Sequence, residues 1–93
     1  MDNAHISAVL ASAEAKDVKD GFSLVPEGRS ITFYVAHAGA SLSVPRAIAV
    51  KVEGQLLHAR TQKGETYVVE AADVFGAAIE GGSPTTTRKA GFL

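Results

Sequence analysis

The sequence predicts a small, mainly β fold: an antiparallel meander of about six short strands closing into an SH3-like roll or partial barrel, with one N-terminal helix. Three observations predict it. From Phe22 onward apolar residues recur with a period of two. Helical spacing is confined to residues 3–18. Turns bearing glycine or proline interrupt the alternation at short intervals.

Residues 3–18 place Ile6, Val9, Leu10 and Ala13 on one helical face. Asp2 or Asn3 can cap the start, alanines fill the interior, and Gly21 suits the stop. An isolated helix of this length is marginal in water, so its stripe must dock on the rest of the chain or on a second copy.

Phe22 and Leu24 begin a short strand that ends at the turn Pro26-Glu27-Gly28-Arg29. Ile31, Phe33 and Val35 alternate with Thr32 and Tyr34 in a second, half-buried strand, and His37-Ala38-Gly39-Ala40 connects it onward. Leu42, Val44, Ile48, Val50 and Val52 then share one parity, which predicts one long strand bent at Pro45-Arg46. A two-residue Gly54-Gln55 turn pairs Val52 with Leu57, Val50 with Ala59 and Ile48 with Thr61. The other face then holds Lys51 beside His58 and Ala49 beside Arg60.

For the next turn, a two-residue Lys63-Gly64 loop sets Leu57 against Glu70. A three-residue Gln62-Lys63-Gly64 loop sets Leu57 against Val69 and Ala59 against Tyr67, so the apolar pattern selects the longer loop. Strands at 47–53, 56–61 and 65–70 follow, then a tight helical turn near Asp73 and a short closing strand at 77–80. SH3-like barrels use the same order of strand, single turn and short last strand, which is an analogy of architecture alone. Residues 1–80 therefore read as one domain, with the helix at 3–18 and the β barrel or roll at 22–80. Residues 81–93 read as a flexible C-terminal tail ending in Phe92-Leu93.

The 93 residues are 46% apolar and carry a net charge of −1. That is no electrostatic footprint for nucleic acid or an anionic membrane. Tyr34 is the only aromatic expected to be exposed on a strand, whereas single-strand binders stack several bases. No apolar run reaches the roughly 18–20 residues that cross a bilayer. The start of the chain lacks the basic residues of a signal peptide, and no cysteine is present to form disulfides. Both observations lead to the expectation of a cytoplasmic protein.

The three histidines, His5, His37 and His58, have no metal-ligand spacing, and neither a metal nor a cofactor is expected. No serine sits in a Gly-x-Ser-x-Gly elbow, and Ala38-Gly39-Ala40-Ser41 lacks the glycine pattern of phosphate loops. Arg46, Lys51, His58, Arg60 and Lys63 form a candidate patch for an anion or an acidic partner, diluted by Glu53 and Glu70 at the opposite edge. Ile6, Val9, Leu10, Tyr34, Leu56, Val68, Phe92 and Leu93 are apolar groups available for assembly. The expectation is a non-catalytic protein-interaction module that self-associates, with a protein partner or a homo-oligomer as its assembly. The alternative is an anion-binding regulatory domain using the Lys51, His58 and Arg60 face. A small enzyme using His37 or His58 ranks third.

Overall fold

Alternation of apolar and polar residues, interrupted by tight turns, gives seven antiparallel strands in a computed structural model that describes residues 1–81. After helix α1 (Asn3–Ser12) come β1 (Asp17–Lys19), β2 (Phe22–Leu24), β3 (Arg29–His37), β4 (Ala40–Glu53), β5 (Leu56–Thr61) and β6 (Thr66–Glu70). A single 3₁₀ turn (Ala71–Asp73) leads into β7 (Val74–Gly81). The protein is mainly β with one N-terminal helix, as the sequence predicts. It has seven strands rather than six, and the sheet is not closed into a barrel.

The sheet is organised around β4. Its first half pairs with β3, while its second half pairs with β5 on the other edge. β2 follows β3 along the same edge, with Ser23 opposite Val50 and Leu24 opposite Ala49. β7 pairs with the outer edge of β3, and β6 extends the sheet beyond β5.

The predicted meander register is observed. Val52 faces Leu57, Val50 faces Ala59, Lys51 faces His58 and Ala49 faces Arg60. Leu57 faces Val69 and Ala59 faces Tyr67 across the three-residue turn. Gly64, at φ +86°, closes that turn through its N–H to the Thr61 carbonyl. The expected pairing of Ile48 with Thr61 is corrected. Thr61 lies opposite Ala47, because β4 carries an extra residue at Ile48. Ala47 is fully buried and Ile48 only partly.

A second irregularity lies at Pro45-Arg46, where Ile31 pairs with Ala47 but Phe33 pairs with Val44. The bend expected there is a bulge, and Arg46 takes φ +52° to make it.

The helix is shorter than its alanine-rich sequence suggests and stops at Ser12. Ala13 and Ala15 are buried in the core, and Glu14 takes φ +60° as the chain reverses. Arg29 reaches this end, donating to the Ala13 carbonyl and pairing with Glu14, which satisfies the helix C-terminus with a cation. Residues 17–24 then form a hairpin. Asp20 (φ +56°) and Gly21 (φ +83°) make its turn, and Lys19 pairs with Phe22. Gly21 is thus a hairpin residue and not a helix stop.

Ile6 of α1 joins Ile31, Phe33, Val44, Val50, Leu57 and Val74 in one core. Val9 and Leu10 pack partly against it. Gly81 ends β7 instead of beginning a tail, and a Cβ there would lie 2.0 Å from the Gly28 carbonyl oxygen. No helix among the described residues is long and apolar enough to cross a membrane.

Two outcomes test this architecture. In urea unfolding, Leu57→Ala is expected to cost about 2–5 kcal/mol through lost burial and the cavity left behind. Val68→Ala, on the opposite face, is expected to stay within about 0.5 kcal/mol. The reverse ranking would place β5 one residue out of register. The second concerns Asp2, whose carboxylate accepts from the His5 N–H at 2.8 Å and also meets the His5 ring. The backbone bond first, and the ring second, hold its pKa below the ordinary carboxylate value. A depressed acid contributes stability above its unfolded pKa, about 3.9, and loses it as pH falls through the lower folded value. Amide exchange at His5 should therefore accelerate at acid pH in the native chain, and Asp2→Asn, which keeps a capping oxygen, should flatten that dependence.

Candidate functional site

The candidate basic residues separate into two groups. Lys51 on β4 and Arg60 on β5 lie on the sheet face away from the core, where β2 brings Phe22 beside them. The Lys51 Nζ sits 4.9 Å from the centre of the Phe22 ring, and the Arg60 guanidinium carbon sits 4.7 Å from it. Both are cation–π contacts, and Phe22 is only 8% exposed although no helix among the described residues covers this face. The aliphatic stems and charged heads of the two cations roof the ring. These charges therefore serve the packing of β2; the sequence places a strand at Phe22 but gives no pairing of it with β4, so the contact is not legible there.

His58 neighbours Lys51 across the β4–β5 pair. Its Nε2 is buried without a hydrogen-bond partner among the described residues, and the nearest carboxylate oxygen, on Glu53, is 3.7 Å away. That separation is too long for a hydrogen bond.

Arg46 and Lys63 lie elsewhere. With Pro45, Thr61 and Gln62 they line a cavity of about 360 Å³. It opens where β5 ends and the second edge of β4 continues alone. The Gln62 N–H donates to the Arg46 carbonyl at 3.1 Å and fixes the β5–β6 turn against the bulge. Neither cationic side chain forms an ion pair or a hydrogen bond among the described residues.

The histidine candidates for catalysis are not brought together. His37 stands at the end of β3, with Nδ1 3.0 Å from the Asp73 carboxylate and its side chain three-quarters exposed. A small cavity of about 90 Å³ beside it is lined also by Ser41. Ser41 pairs with Ala36, one residue out of phase with the His37–Ala40 pair, so its side chain leaves the opposite face. A histidine and an acid are present there without a nucleophile aligned to them. Among the described residues no group of three or more His, Asp or Glu gathers around a metal position.

The apolar candidates also divide. Ile6 is 1% exposed and belongs to the protein's own core, so α1 covers the inner face and leaves Leu56 and Val68 uncovered, at 40% and 52% exposure. Tyr34 lies at the surface with its ring centre 6.3 Å from that of Phe75. Phe75, on β7, is 68% exposed, and Ile79 on the same strand is also exposed. Phe75 falls outside the closing strand expected at 77–80, whereas Ile79 falls within it and is found exposed at the sheet edge. The Phe-Gly-Ala-Ala-Ile run could have shown the longer strand. Phe92 and Leu93 lie outside the described residues.

If Lys51 and Arg60 roof Phe22, replacing both with Gln should cost stability on the order of 1–2 kcal/mol, two exposed cation–π contacts, in urea unfolding. The Phe22 ring resonances should move toward solvent-exposed values at the same time. Unchanged stability and shifts would return both residues to the role of free charges. Set against known proteins, the chain matches no family model, no curated protein and no solved structure.

Proposed function

We propose that the protein is a non-catalytic interaction module that associates with a second copy of itself, edge to edge, through β7. The supporting observation is the contrast between β7 and the other sheet edges. β1 has three residues and carries Asp17 and Lys19. β6 is flanked by Glu65 and ends in Glu70. The free part of β4 contains Pro45, which cannot donate to a ladder. All three are devices that discourage pairing.

β7 carries an extra residue at Phe75, and the N-terminal amine donates to its Val74 carbonyl, but from Gly76 to Ile79 it has neither a charge nor a proline. Its eight residues, Val74-Phe75-Gly76-Ala77-Ala78-Ile79-Glu80-Gly81, carry one charge and no proline. β7 pairs with β3 on one edge, and among the described residues no strand occupies the other. A two-fold axis through its centre places two copies antiparallel, as the rest of the sheet already is, and lets one edge serve both partners. The small residues at 76–78 admit close approach, while Phe75, its ring tilted against that of Tyr34, and Ile79 supply apolar contact at the ends. The area involved is that of a modest interface, so affinity in the micromolar range is expected. With no cysteine to cross-link it, such a module suits the reducing cytoplasm.

Sedimentation analysis of the chain is expected to show a dimer at about 100 μM that dissociates on dilution. The double variant Phe75→Lys, Ile79→Lys alters exposed positions and should stay monomeric with its circular dichroism unchanged. A native chain that remains monomeric throughout that range would overturn the proposal.

A further inference from the structure

We propose that the cavity at the Pro45-Arg46 bulge is a binding site for the phosphate group of a small phosphorylated molecule, distinct from the β7 edge and independent of it. The first observation is conformational. Arg46 is a side-chain-bearing residue held at φ +52°, a region that favours glycine or asparagine. Strain of this kind persists where the surrounding structure imposes it, and bulges re-aim the side chain they carry. A glycine at 46 would make the same bulge without strain, but it would bring no charge to the cavity.

The second observation is chemical. Arg46 and Lys63 line one cavity with Pro45, Thr61 and Gln62, and no carboxylate lines it, Glu80 lying in the neighbouring hollow that Arg46 and Gln62 also border. Three of the other cations are committed, whereas Lys16 and Lys19 lie just before and within β1, away from this cavity. Arg29 pairs with Glu14, and Lys51 and Arg60 stack on Phe22. Arg46 and Lys63 have no such partner among the described residues.

The third observation is that the mouth is braced. The Arg46 carbonyl accepts from the Gln62 N–H, and the Arg46 N–H donates to the Thr32 hydroxyl oxygen at 3.3 Å. Gly64 closes the turn that presents Lys63. Two cations on braced backbone match the charge of a phosphate monoester dianion, and a guanidinium can engage two of its oxygens at once. The cavity's volume of about 360 Å³ lies at the small end of ligand sites, which limits the remainder of the molecule to a compact polar group.

Heteronuclear NMR of the ¹⁵N-labelled full chain, titrated with inorganic phosphate and with glycerol 3-phosphate, tests this site. Saturable shifts are expected at the amides of Arg46, Gln62 and Lys63, with dissociation constants of about 0.1–5 mM and tighter binding of the ester. Chloride at equal ionic strength should give no saturation, and acetate should bind at least about tenfold more weakly. Lys63→Ala should weaken binding at least about fivefold. Arg46→Gly relieves the positive φ, so it should raise the melting temperature while abolishing saturable binding. That pair of results separates a functional strain from a merely structural one. Absence of saturation up to about 20 mM phosphate overturns the proposal. So does saturation centred on Lys51 and Arg60, equal binding of acetate, or binding retained in Arg46→Gly. None of these readings depends on whether β7 pairs two copies.

Discussion

One strand must satisfy three neighbours, and the rest of the protein follows from that constraint. β4 hydrogen-bonds to β3 and then β2 along one edge and to β5 along the other, over 14 residues. A straight ladder of that length would carry β3 and β5 on one plane and leave α1 no hollow to fill. The extra residues at Arg46 and Ile48 increase the twist within β4, so the sheet curls around Ile6 and the helix. The Val25 N–H donating to the Ile48 carbonyl at 2.9 Å shows the accommodation directly: the link between β2 and β3 is stitched to β4 where the bulge frees an acceptor.

Charge on this protein is divided between two tasks. On the face of β2, β4 and β5 it takes the place of a missing layer. Phe22 would be an exposed aromatic on an uncovered sheet, and two long cations shield it while keeping their heads in water. At the β4 notch Arg46 is set by backbone geometry, and neither it nor Lys63 forms an ion pair among the described residues. The distinction lies in the neighbours. Arg46 and Lys51 share β4 and Lys63 lies in the turn just beyond Arg60, yet the two pairs fulfil different roles because β2 reaches Lys51 and Arg60 but ends short of Arg46.

The meander from Val50 to Val69 was legible in the sequence because apolar parity and turn length must agree there, and only one pairing buries Leu57, Ala59 and Val50 together. The end of α1 was not legible. Ala13 and Ala15 have high helix propensity, and tertiary packing overrode it by using them as the small residues that fit a tight reversal. The Asp20-Gly21 signal for a hairpin was present but competed with its reading as a helix stop. The strand at Phe22 was legible, but without the β1–β2 hairpin its pairing with β4 was not, nor the reason that Lys51 and Arg60 stand together. The left-handed turn at Arg46 has no sequence signature, since nothing in an arginine announces it. Proline at 45 announced a bend but not its hand. Ile48 misled by parity alone, because a single inserted residue exchanges which of two neighbours faces the core.

The order in which β4 acquires its partners also bears on how the chain reaches this structure. The turns at 38–39, 54–55 and 62–64 connect β3, β4, β5 and β6 by contacts close in sequence, so this stretch can form while closing only short loops. β2 and β7 join strands that lie far from them along the chain, with Arg29 meeting Gly81 and Ser23 meeting Val50. Such distant contacts carry a larger entropic cost and come to dominate the barrier in sheet proteins. The two outer additions are therefore the late steps of folding, and until β7 arrives, β3 rather than β7 is the strand that presents an unpaired edge to other molecules.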